Sequence, residues 1–118
     1  MADSLAALRT TVYTALNAAL PTVHVSKYRR RPGTGQRHYA ALELGVTASA
    51  DGRPDLAEIT LWLTLAGALQ ATEATLDTLT QAIEDALPAS VAAPDWDIEY
   101  SQDDAVWRST GTATAFRE

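Results

Sequence analysis

Hydrophobic positions along the chain follow two different periods. Leu5, Leu8, Val12, Leu16 and Leu20 recur at steps of three and four, with Ala15 and Ala19 on the same side. A helix gathers such positions on one face. Asp3 or Ser4 can cap its start, because a side-chain oxygen accepts an orphan amide of the first turn. Pro21 cannot continue it, so the helix is predicted to end near Leu20. A short strand follows, with Val23 and Val25 facing one way and His24 and Ser26 the other. Residues 38–50 alternate over a longer stretch: Ala40, Leu42, Leu44, Val46 and Ala48 against Ala41, Glu43, Gly45, Thr47 and Ser49. One buried and one polar face predict an antiparallel sheet. Asp51-Gly52 signals a turn. The next strand starts near Leu56, with Ile59, Leu61, Leu63 and Leu65 opposed to Glu58, Thr60, Trp62 and Thr64.

After Gly67 the period lengthens again. Leu76, Leu79, Ile83 and Leu87 form an apolar stripe beside Ala82 and Ala86, and Pro88 ends it. Thr72 is the expected N-cap, with Glu73 and Asp77 placed at the positive end of the helix dipole. Two strands close the chain. In the first, Trp96, Ile98 and Tyr100 oppose Asp95, Asp97 and Glu99. Gln102-Asp103-Asp104 reads as a turn, and the last strand runs from about Val106 to Phe116. The order is α-β-β-β-α-β-β. The predicted class is α+β, a mostly antiparallel five-stranded sheet with two helices packed on one face.

Composition narrows what such a domain can be. The 118 residues amount to one domain, 1–118, with no repeat, linker or low-complexity segment. Hydrophobic residues at 47% and charged residues at 20% exclude a mainly disordered chain and an extended coiled coil. Cysteine is absent, which removes disulfides, zinc-thiolate sites, iron–sulfur clusters and cysteine catalysis. MADSLAALRT has neither a basic nor a long apolar stretch, so no signal peptide is expected. No apolar run approaches the ~20 residues of a membrane span. Lysine occurs once, at Lys27, while Ala and Thr abound, which is the mark of a GC-rich coding bias.

The net charge of −6 averages over a division. Lys27, Arg29, Arg30, Arg31 and Arg37 stand within 27–37, with no acid among them. From 54 to 107 there is no base, and Asp55, Glu58, Glu73, Asp77, Glu84, Asp85, Asp95, Asp97, Glu99, Asp103 and Asp104 all fall there. Such asymmetry points to an interaction surface more than to a catalytic pocket.

Candidate chemistry is sparse. His24 and His38 would approach each other across a hairpin, but no third ligand has suitable spacing, and two exposed strand histidines is the ordinary reading. Asp95, Asp97 and Glu99 share a strand face, yet same-face neighbours lie ~7 Å apart, too far for one cation without ligands from elsewhere. A solvated acidic face is the default there, an acidic interface the next reading, and a metal or acid–base site the third. No G-x-S-x-G is present for a nucleophilic serine. Pro32-Gly33-Thr34-Gly35-Gln36 lacks the G-K-[ST] ending of a phosphate-binding loop and opens no helix. No catalytic residue, cofactor or metal is therefore expected. The basic segment suits either DNA phosphates or the acidic region of a neighbouring copy. Without a recognition helix or an aromatic platform for bases, protein contact is preferred over DNA, and a plainly solvated loop is the bland alternative. Trp62 and Trp107 are candidate interface anchors; packing within the monomer is the competing role.

The chain resembles the tail terminator proteins of long-tailed bacteriophages (siphoviruses), also described as tail completion or minor tail proteins. The likeness covers residues 2–117. It rests on the amphipathic first helix ending at Pro21, the Arg-rich segment before HYAALELGV, the hairpin around Asp51-Gly52, the helix LDTLTQAIEDAL and the two closing strands. The Ala/Thr-rich, Lys-poor composition would suit a phage of a GC-rich host. The resemblance implies a structural virion protein, made in the host cytoplasm and built into the neck of the tail. Members form a hexameric ring on the head-proximal end of the tail tube. The ring stops tube polymerisation and docks the head's connector or stopper proteins, and DNA passes through its lumen. No catalytic residue or cofactor is implied, and no membrane. The sheet is expected to line or flank the channel. Another neck protein, such as a head–tail connector or head-closure protein, has similar size and composition. A small metal-binding or enzymatic α+β domain is the alternative from a different class.

Overall fold

The computed structural model describes residues 4–28, 40–49, 52–66, 69–101 and 106–117. The elements are α1 (Leu5–Ala19), β1 (His24–Ser26), β2 (Ala40–Ala48), β3 (Leu56–Ala66), α2 (Leu69–Ala86), β4 (Asp95–Ser101) and β5 (Val106–Phe116). This is the predicted order. One five-stranded sheet holds all the strands, in the order β1-β2-β3-β5-β4. Three of its pairings are antiparallel.

The pairing β1–β2 is parallel, with His24, Val25 and Ser26 set against Ala41, Leu42 and Glu43. The expected hairpin between the histidine-bearing strands is thus corrected. Residues 27–39 join them, and a connection of that length can return the chain to the same end of the sheet, as a parallel pair requires.

Ser4 caps α1, its Oγ accepting from the Ala7 amide at 3.0 Å. At the other end the Leu20 amide donates to the Leu16 carbonyl at 3.0 Å, just before Pro21. Leu8, Val12 and Leu16 are the buried stripe. The second helix begins at Leu69, so Thr72 lies inside it and Glu73 and Asp77 lie beyond its first turn. Leu69, Gln70 and Ala71 are all good helix formers, and they carry the helix upstream of the polar residue that looked like its cap. Gly52 turns the β2–β3 connection with φ +73°, and its amide donates to the Ser49 carbonyl at 3.0 Å. Asp51, the other half of that turn signal, and the turn at 102–104 lie outside the described residues.

Both helices pack on one side of the sheet, α1 over β1 and β2, and α2 over β3 and β5. Alternation then sorts each strand. Leu42, Leu44 and Val46, Ala57, Ile59, Leu61, Leu63 and Leu65, and Ala113 and Ala115 are buried beneath the helices with Leu76, Leu79 and Ile83 of α2. On β5 the buried row is small: Ser109, Gly111, Ala113, Ala115. That leaves room for Trp96 of β4, whose ring lies on Gly111; a Cβ there would stand 2.7 Å from Trp96 Cζ3. The Trp96 indole then donates to Glu84 of α2 at 3.1 Å, tying the edge strand to the helix. Beyond β4, the Ala92 amide donates to Thr114 O and the Phe116 amide to Ser90 O, so residues 90–92 continue along β5.

Candidate functional site

Among the described residues no helix covers the other face of the sheet, and the strand registers lay that face out in rows. One row reads His24, Ala41, Thr64, Arg108, Glu99, and the next Ser26, Glu43, Trp62, Thr110, Asp97. A third reads Gly45, Thr60, Thr112, Asp95, and a fourth Thr47, Glu58, Thr114. Leu56 and Phe116 finish it, with Phe116 61% exposed. The surface is threonine-rich and acidic. Threonine suits it, because a β-branched side chain fits the pleat while its hydroxyl stays in water.

Trp62 stands on this face, as its alternation predicts. Its ring does not project; it lies across β2 onto Gly45, where a Cβ would come within 2.6 Å of Trp62 Cη2. Glycine at 45 is therefore what lets a large aromatic lie flat on an otherwise polar surface. Trp107 is placed differently. It pairs with Leu65, on the helix side of the sheet, and is partly buried against the core. Its ring meets Tyr100 edge-on, centroids 5.1 Å apart. Of the two roles weighed for it, packing within the monomer is the one this placement favours. The parity of β5 was hard to read because Thr, Ser, Ala and Gly alternate along it with little contrast in polarity. Trp107 Nε1 and Ser109 Oγ, neighbours on the same face, are buried with no hydrogen-bond partner among the described residues.

Asp95, Asp97 and Glu99 line the outer side of β4, all exposed. Their cross-strand neighbours are Thr112, Thr110 and Arg108. Among the described residues neither Asp95 nor Asp97 has an ion-pair partner. A shallow open depression lies at this edge, lined by Asp95, Trp96, Asp97, Thr110 and Thr112. Among the described residues no group of three histidine, aspartate or glutamate side chains is placed to hold a metal ion. His24 lies half-buried in the row of Ala41 and Thr64; His38 is outside the described residues.

At the opposite edge β1 stops after three residues, and on that side β2 runs on with no described strand beside it. Arg9 of α1 fills the gap. Its guanidinium donates to Lys27 O at 2.7 Å, Leu44 O at 3.0 Å and Val46 O at 3.4 Å. Its carbon lies 4.5 Å from the centroid of the Tyr28 ring. A planar fork of donors can satisfy several carbonyls at once, which a lysine cannot do. This fixes where the basic segment starts: Lys27 is half-buried beside β2. Arg29, Arg30, Arg31 and Arg37 are outside the described residues. Sequence reasoning passed over Arg9. The signal was there, since Arg9 is the sole charged residue of α1.

No helix among the described residues is long and apolar enough to cross a membrane. No protein-family model matches the chain, and no curated protein matches it. Among solved structures, one chain in the "Virion of native gene transfer agent (GTA) particle" shares the fold, with a TM-score of 0.59 at 17% identity. The likeness covers 94% of this chain and 94% of that one.

Proposed function

We propose that this chain is a structural virion protein, a tail terminator that forms a ring at the head-proximal end of a phage tail tube. The observation that carries this is a shared fold. End to end, the chain has the architecture of a component of a gene transfer agent virion. Two features of the molecule support it. The open sheet face is broad and polar, and no described element covers it, as suits a subunit surface that meets its neighbours. The depression lined by Asp95, Trp96, Asp97, Thr110 and Thr112 is an open cleft at the sheet edge. On this reading the chain performs no catalysis and holds no cofactor. Six copies close the ring, its lower surface stops addition of tube subunits, and its upper surface docks the head's connector or stopper. DNA passes through the lumen. Lys27, Arg29, Arg30, Arg31 and Arg37 serve contacts between subunits or with that DNA, and Trp62 serves an interface, whereas Trp107 packs within the monomer.

The test is a polymerisation assay with the tube protein of the same phage. Purified chain added to growing tubes is expected to halt growth at substoichiometric amounts and to appear as a collar at one end. Tubes that lengthen unchecked, with the chain unbound, contradict the terminator role. A ring that binds the head's portal complex but ignores tubes makes it a head-closure protein instead.

A further inference from the structure

The strand registers set β1 and β4, the two opposite edges of the sheet, level with each other. The row that begins at Ser26 on β1 ends at Asp97 on β4. Just past Ser26 the chain enters its basic segment, with Lys27 and then Arg29, Arg30 and Arg31. At the far edge, Asp95, Asp97 and Glu99 are all exposed on the open face, and the outer edge of β4 pairs with no described strand. Ile98 of the same strand is 44% exposed on its other side.

Chain connectivity leaves the backbone of the basic triplet short of those acids on its own chain. Four inter-strand steps separate β1 from β4, a width of ~19 Å at ~4.8 Å per step. Arg29 to Arg31 lie one to three residues past Tyr28, a backbone reach of at most ~11 Å. Tyr28 itself is held at the β1 side of β2 by Arg9, whose guanidinium binds Lys27 O and Leu44 O together. A second copy set beside the first brings the two edges together without crossing the sheet.

We infer that the open face and free edge of β4 receive the Arg29–Arg31 segment of a second copy, in a head-to-tail contact that repeats from subunit to subunit. This rests on the ring reading and names the surface that would close it. Complementary patches on opposite edges give a heterologous contact, and such contacts form rings when the rotation between copies closes. Opposite charges at the two edges set the register and speed the encounter. The acids invite a rival explanation: charge on an edge strand keeps sheets from pairing edge to edge. The two explanations predict opposite signs. Neutralising an edge guard strengthens association, whereas neutralising half of a docking contact weakens it.

The experiment is sedimentation equilibrium of the full chain at low and high salt, with circular dichroism to confirm folding. The wild-type chain is expected to self-associate at low salt and to weaken as salt rises. Asp95→Asn/Asp97→Asn/Glu99→Gln is expected to weaken it at least tenfold. Next come two charge-reversed chains, one with Asp95→Lys/Asp97→Lys/Glu99→Lys and one with Arg29→Glu/Arg30→Glu/Arg31→Glu. Each alone is expected to stay monomeric, and the two mixed are expected to co-assemble in equal proportion. A wild-type chain that remains monomeric at low salt overturns the contact, as does tighter association of the neutralised variant or a mixture that stays monomeric. Collars on tail tubes decide the parent reading separately. If both charge-reversed chains still form collars, the terminator reading stands and this contact is wrong; if the wild type forms none, the ring reading fails with it.

Discussion

On its helix-covered side β3 presents Ala57, Ile59, Leu61, Leu63 and Leu65, all buried; one residue along, its open side shows Glu58, Thr60, Trp62 and Thr64, all half-buried. The two faces belong to the same backbone, share every hydrogen bond of the ladder and differ only in parity. The covered face holds the energy. Each large aliphatic there contributes ~1.5–3 kcal/mol by leaving water. The open face contributes little to stability, and its content is charge and shape. A fold can tolerate change on that side, so what is written there reflects what the sheet meets, in keeping with the rule that function lives in sites grafted on folds.

The sharpest way to break the comparison is to cut equally on both sides. Leu61, fully buried between β2 and β5, is the test on the covered face: Leu61→Ala is expected to lower unfolding free energy by about 2–5 kcal/mol in urea titrations. Gly111 comes next. An added Cβ drives into the Trp96 ring, so Gly111→Ala is expected to cost about 1–3 kcal/mol and to disturb the near-ultraviolet circular dichroism of Trp96. At the sheet edge, Arg9→Ala removes three donors from partly buried carbonyls. A loss of about 1–2 kcal/mol is expected, with faster amide exchange at Leu44 to Val46. On the open face, Thr112→Ala is expected to stay within about 0.5 kcal/mol of the parent. If Thr112→Ala destabilised as much as Leu61→Ala, the division between an energetic face and a contact face would collapse.

Most of the covered face was legible in the amino-acid sequence. Leu, Ile and Val at period two in β2 and β3, and at period three to four in the helices, leave little choice of partner, because each stripe must be buried against another. Where contrast was weak, reading failed. Along β5 the buried residues are Ser109, Gly111, Ala113 and Ala115, small enough to pass for surface residues, and so Trp107 was not assigned to the helix side. The start of α2 was misplaced because cap preference competes with helix propensity, and Leu69 to Ala71 tipped the balance. The parallel pairing of β1 was invisible since three residues carry no directional signal; only the path of the connection decides it. The open face was half legible. Its polarity, its acids and Trp62 followed from alternation, but the fit of Trp62 onto Gly45 and the alignment of Ser26 with Asp97 depend on register across the sheet, which no single strand reveals.

Arg9 shows how a residue outside both faces connects them. It leaves the buried helix, caps the carbonyls that β1 leaves bare and fixes the root of the basic segment at the edge of the open face. Stability and contact surface thus meet at one guanidinium.

Cryo-electron microscopy of tail tubes incubated with the purified chain tests the proposed role as a ring subunit of a phage tail. The expected image is a closed ring of copies capping one end of the tube, each subunit's β4 edge beside the residue 27–37 segment of its neighbour. Tubes with bare ends, beside free chain in solution, would contradict it.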